Sequence, residues 1–184
     1  MKKLLGGLLI CAGLTSTDAS ANEVIDYAEL INQEVSNVDL GKYLGNDMDT
    51  DKGMVGYDFY GFDKRVNVSA DFHVDDQYRT HEDKIGVVDA ITLQFDVEGY
   101  DANDFPVGLP FGLQPEMSWL KSHELLSKEK AVKNLIVVPG EGAVQVVFNL
   151  ELDGKNVQFS ANYKGEDGYL SMASFLIDGN ARWY

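Results

Sequence analysis

The alternation of apolar and polar residues divides the chain into short amphipathic pieces. Val24, Ala28, Ile31 and Val35 recur at helical spacing behind Asn22, which predicts a helix over 23–35 with one buried stripe. A second helical piece over 39–44 ends at Gly45. Period-two alternation then takes over. Val55, Tyr57 and Phe59 form one inward row, and Val66, Val68, Ala70, Phe72 and Val74 form the next, against Asn67, Ser69, Asp71, His73 and Asp75. Residues 75–84, DDQYRTHEDK, read as a long polar hairpin tip, after which Ile91, Leu93, Phe95 and Val97 turn inward.

Residues 99–126 read as a seam between two similar halves. A turn-rich stretch narrows to Gly108-Leu109-Pro110-Phe111-Gly112-Leu113 and opens a helix at Gln114-Pro115. Met117, Leu120, Leu125 and Leu126 supply its apolar stripe. Strands are predicted again over 135–138, 144–152, 157–163 and 169–177, with Asp153-Gly154 as a hairpin turn. The tail 179–184 reads as an extra edge strand or a frayed end. Val66 to Phe72 echoes Val157 to Tyr163, and each follows a helical segment and a shorter strand. The expected fold class is therefore α+β. Two tandem helix-plus-antiparallel-meander modules, 22–98 and 99–184, form one compact domain.

The first residues alter the picture of where the protein works. Met1-Lys2-Lys3, an apolar run over 4–14 and Ala19-Ser20-Ala21 have the order of a signal peptide, with cleavage expected after Ala21 and delivery to the periplasm. A lipoprotein alternative would use Cys11, but Ile10 precedes it where a small residue is needed. Cleavage leaves 163 residues and no cysteine, so no disulfide would contribute to stability. It also removes Lys2, Lys3 and Asp18, and the net charge moves from −15 to −16. Such a surface repels nucleic acid and anionic headgroups and favours a basic protein partner. No stable membrane insertion is expected, because the one apolar run is too short to span a bilayer.

Candidate chemistry is sparse. His73, His81 and His123 have no metal-ligand spacing, and there is neither a G-x-S-x-G elbow nor a phosphate-binding glycine loop. Asp47, Asp49 and Asp51 alternate like the first ligands of a calcium loop. Lys52 then occupies the glycine position, Asp58 stands where glutamate is usual, and an acidic turn is the expectation. The chain is expected to be no enzyme, with no cofactor and no metal. Binding fits better. The tip offers Asp75, Asp76, Tyr78, Arg79, Glu82 and Asp83 as partner-binding candidates: carboxylates to complement a basic cleft, and an aromatic to anchor the contact.

The run Val107 to Leu113, followed by a helix ending Glu124-Leu125-Leu126, resembles small immunity proteins of interbacterial toxin systems. In those proteins a leucine-proline-aromatic-glycine-leucine turn leads into a helix that ends Leu-Gly; here the helix ends Leu126-Ser127, and Leu44-Gly45 keeps that ending in the first half. The helix-plus-meander repeat is also similar to BamE-like and beta-lactamase-inhibitor-like modules. The resemblance implies a periplasmic antitoxin that occludes the active site of a secreted toxin, a cell-envelope hydrolase delivered by a type VI secretion system. An alternative is a BamE-like envelope-assembly or scaffold protein.

Overall fold

The computed structural model describes residues 26–96, 108–152, 154–165 and 168–177. Residues 1–25, with the expected signal segment, Cys11, Asn22 and Val24, lie outside the described residues, as do Val97, the start of the seam and the tail 179–184. Eight strands form one antiparallel sheet: β1 (Met48–Lys52), β2 (Gly56–Gly61), β3 (Val66–Val74), β4 (Thr80–Gln94), β5 (Lys133–Gly140), β6 (Ala143–Leu152), β7 (Lys155–Lys164) and β8 (Leu170–Ile177). Their spatial order is β1-β2-β3-β4-β8-β7-β6-β5. Each half is thus a four-stranded meander, and the two meet through their last strands.

This overturns the helix-plus-meander α+β expectation. About half the chain is strand and about a sixth helical, so the helices are too few to form a layer. Among the described residues the α-helices are α1 (Leu40–Leu44) and α2 (Trp119–Leu126). Within the described part of the helix expected over 23–35 there are instead two 3-10 turns, Tyr27–Leu30 and Val35–Asn37. Its stripe is still buried at Ile31 and Val35, joined by Tyr27 and Leu30. The backbone between the turns is used differently: Asn32 N–H donates to Val88 C=O and Val88 N–H to Gln33 C=O, with Asn32 at φ 71°. Pairing with β4 therefore displaces helix continuation, as tertiary context often does for weak helix formers.

The later helix begins at Trp119 and not at Pro115, because Ser118 is its cap and accepts from the Lys121 N–H. Its buried residues are Ser122 and Leu126, whereas Leu120, placed in the stripe by spacing, is 54% exposed. The acidic segment expected as a turn is strand β1, paired with β2 from Met48↔Gly61 to Lys52↔Tyr57.

The core lies on one face of the sheet. A single cross-strand row, Phe148–Phe159–Phe175–Ile91–Val68–Phe59, runs from β6 to β2 with every member buried. Ring centroids are 5.0 Å apart for Phe148–Phe159 and 4.9 Å for Phe159–Phe175, the separations of favourable aromatic pairs. Tyr27 covers part of this face and donates to Tyr43 C=O at 3.1 Å. Burial, and then the neighbouring Tyr43, push its phenol up to about 12. α1 is pressed against β2 at Gly61, where an added Cβ would collide with the Leu44 carbonyl.

Truncating Phe159 to Ala should cost about 3–5 kcal/mol in denaturant unfolding. Phe62→Ala, in the exposed turn before β3, should stay within about 0.5 kcal/mol and serves as its control.

Candidate partner-binding surface

The β3–β4 hairpin closes on Asp75. Its N–H donates to Arg79 C=O, and its own C=O accepts from Tyr78 N–H at 2.8 Å. One carboxylate oxygen accepts from the Gln77 and Arg79 amides at 2.9 and 3.0 Å. The other meets Arg79 Nε at 3.0 Å and His81 Nε2 at 3.1 Å. An aspartate that gathers the amides after it is a strong turn former. The Arg79 amide above all, then the His81 ring, the Gln77 amide and the Arg79 guanidinium, hold this carboxyl far below the usual carboxylate range.

The Arg79 side chain that meets Asp75 stays largely exposed, and Asp75 is therefore engaged in closing the turn. Tyr78 stands at its apex, 90% exposed and at φ 60°. A bulky residue in the left-handed region is uncommon, and here the surrounding turn bonds impose it. Asp76 is exposed beside it. Glu82 and Asp83 are not on the tip. They belong to a bulge in β4, because Phe72 pairs with Ile85 while His73 pairs with His81. Glu82 lies 3.6 Å from Lys52, and its C=O accepts from the Tyr57 hydroxyl at 3.0 Å, which ties the bulge to β1 and β2. The six candidates thus split into a turn-closing pair, an exposed apex and a flanking acidic bulge. Alternation alone did not reveal this, since a bulge leaves no period-two signature.

The sheet face opposite the core adjoins the tip. One row across it reads Asp49–Tyr60–Asn67–Thr92–Ser174–Ser160–Val147–Ile136, and the next reads Asp51–Asp58–Ser69–Ala90–Leu176–Gln158–Asn149–Lys133. Its middle is small, polar and internally bonded: Thr92 and Ser174 hydroxyls are 3.2 Å apart, Gln145 Nε2 donates to Ser160 Oγ at 2.8 Å, and Ser69 Oγ donates to Asp58 Oδ1 at 2.5 Å. Its β1–β3 end carries Asp49, Asp51, Asp58 and Asp71, while its β5 end carries Ile136, Val138 and Lys133. Sequence reasoning missed the contribution of Asp49 and Asp51. Their alternation with Met48 and Thr50 was the available signal, though without an apolar row to mark it.

A cleft of about 520 Å³ opens on the far side of the molecule between α2 and the turns after β5 and β7, lined by Trp119, Leu120, Pro139, Val144 and Gly165. Among the described residues no titratable side chain lines it. Among the described residues no group of three or more His, Cys, Asp or Glu could hold a metal ion. Asp49 and Asp51 lie along an extended edge strand, which does not wrap its carboxylates around one point as a calcium loop does.

Asp75→Ala should loosen the tip, seen as faster hydrogen exchange of the Gln77 and Arg79 amides with the core unchanged. The depressed folded-state value sets the sign with pH. Stabilisation by Asp75 is fully present above the unfolded carboxylate value near about 4 and drains away as pH falls from there toward the folded value. Protection of those two amides should accordingly survive from neutral pH to about pH 4 and fail only below it.

Compared with protein families, curated protein sequences and solved structures, the chain finds no match.

Proposed function

We propose that this chain is a periplasmic immunity protein that binds a basic, secreted antibacterial toxin acting on the cell envelope and occludes its active site, with no turnover of its own. The observation that carries the reading is the β3–β4 tip: Tyr78 is held out in solvent by a turn whose amides are already bound to Asp75. Ordering a loop on binding costs free energy, and a loop ordered beforehand avoids that cost. An exposed aromatic on a rigid projection suits insertion into a partner's pocket, where such residues dominate affinity.

Charge supports the same reading. Asp76 on the tip, Glu82 and Asp83 on the bulge, and Asp51 and Asp58 on the adjoining strands outnumber Lys52 and Arg79 on this side of the sheet. That excess would steer a cationic hydrolase toward the tip and oppose anionic competitors. The signal-like start supports export to the compartment where envelope-degrading toxins act.

The test is co-expression with the secreted toxin encoded beside this chain. Export of the intact protein should protect cells, and the purified pair should form a one-to-one complex. Tyr78→Ala should lower affinity by about 2 kcal/mol or more, roughly thirtyfold, and abolish protection at low expression. Association should slow as salt rises, because the steering charges are exposed. The reading is wrong if no neighbouring toxin is neutralised, or if the Tyr78 variant protects as well as the parent.

A further inference from the structure

The β3–β4 hairpin sets two imidazoles side by side. His73 on β3 and His81 on β4 stand directly opposite in the register. Their ring centroids are 6.1 Å apart, with the rings inclined at 39°. Both side chains are partly open to solvent, His81 by 33%. Spacing along the chain conceals this pair, because the hairpin tip lies between its members.

His81 is also oriented from one side. Its Nε2 lies 3.1 Å from Asp75 Oδ2. Asp75 is ionised at neutral pH and can only accept, so the proton of the neutral ring belongs on Nε2. The lone pair then lies on Nδ1, where an ion can use it. A carboxylate behind an imidazole, fixing its tautomer and raising its basicity, is the usual support of a metal-bound histidine.

We infer that His73 and His81 together chelate one divalent ion of the zinc and copper class, with Asp75 orienting His81 and water filling the remaining positions. Distances decide in favour of a shared ion. Metal–nitrogen bonds of about 2.0–2.1 Å place each ring centroid roughly 3.2 Å from the metal, so two rings on one tetrahedral ion have centroids roughly 5 Å apart. The observed separation exceeds that by about 1 Å, which rotation of two partly exposed rings about their side-chain bonds can close. Only two side chains ligate, in keeping with the lack of any group of three or more metal-binding residues among the described residues.

Ligand type sets the choice of ion. Imidazole suits zinc, copper and nickel, whereas calcium and magnesium require oxygen ligands. The local charge assists. Asp71 and Asp75 flank His73 at alternate positions of the same chain, and Arg79 is drawn to the Asp75 oxygen at 3.0 Å. The site lies at the base of the Tyr78 tip, yet it concerns only this chain and the ion and is independent of the inhibitory reading. A bound ion would tie β3 to β4 beneath the tip.

Calorimetric titration of the purified full chain, made without a histidine tag and stripped of metal, tests the assignment. ZnCl₂ should bind at one ion per chain with a dissociation constant of roughly micromolar order, and CuCl₂ more tightly. CaCl₂ and MgCl₂ at about 1 mM should not bind the pair. His73→Ala and His81→Ala should each weaken Zn²⁺ binding about tenfold or more, with circular dichroism reporting the fold, and His123→Ala should leave it unchanged. Asp75→Asn keeps an oxygen for the turn amides but turns an N–H toward His81, which moves the ring proton to Nδ1; affinity should fall about tenfold. Saturating Zn²⁺ should also slow exchange of the Gln77 and Arg79 amides in the parent and not in His81→Ala. Three results would overturn the inference: no Zn²⁺ binding up to about 1 mM, Zn²⁺ binding that survives both histidine substitutions, or Ca²⁺ competing equally with Zn²⁺.

Discussion

The pairing of β4 with β8 is the constraint on which the rest depends. Residues Ala90 to Gln94 lie beside Met172 to Leu176, and this is the contact that makes two meanders one sheet. Neither half owns a complete core. The aromatic row of the second half, Phe148–Phe159–Phe175, continues through Ile91 into Val68 and Phe59 of the first. The junction is also clamped at its polar end. Asp96 accepts from Lys164 Nζ at 2.6 Å and from the Tyr169 hydroxyl at 3.1 Å, while the Phe95 and Asp96 amides share the Ser171 carbonyl. The lysine, and then the tyrosine, hold the Asp96 carboxyl below its ordinary range. These groups are exposed, so the clamp fixes geometry, and the buried row supplies the bulk of the free energy.

β4 links that junction to the candidate binding end. Its last residues form the centre of the sheet, and its first residues leave the core and rise into the tip. Register shifts against β3 fall on both sides of Ala70 and between Phe72 and His73. Gly86 lies within this stretch, where an added Cβ would come 2.9 Å from the Asp71 carbonyl. Bulges bend and twist the strand that carries them. The tip is therefore aimed by a strand whose far end is anchored in the core, an arrangement that combines an exposed tyrosine with a fixed base.

Much of this order could be read from the residues. The alternation over Val66–Val74 and Ala143–Leu152 marked real strands, and Asp153-Gly154 marked a connection between two of them. The echo between Val66–Phe72 and Val157–Tyr163 falls on β3 and β7, the third strand of each meander. What failed shares one cause, namely backbone bonding that side-chain pattern does not encode. The 23–35 stripe has helical spacing because Tyr27, Leu30, Ile31 and Val35 share one core, yet its amides are claimed by Val88. β1 has no apolar row because both its faces are exposed at an edge, so pairing with β2 alone makes it a strand. At the tip the residue types were legible, but the inward role of Asp75 depends on Gln77, Arg79 and His81 converging on it, which only a folded turn reveals.

The excess of negative charge is not spread evenly, and its placement adds direction to the surface. On the face opposite the core, Asp49, Asp51, Asp58 and Asp71 all belong to β1–β3, whereas the described residues of β8 there are Met172, Ser174 and Leu176. Across seven strand spacings, roughly 34 Å, the face passes from four aspartates through small and polar residues to a β6–β5 side that carries Ile136, Val138, Glu151 and Lys133. A uniform charge would attract a basic protein in any orientation. A gradient along one axis favours the orientation that brings the cationic patch to the β1–β3 end, beside the tip that projects Tyr78. Under the proposed function, long-range attraction would bring a basic partner to the side of the sheet from which Tyr78 projects, and short-range packing against the tip would follow.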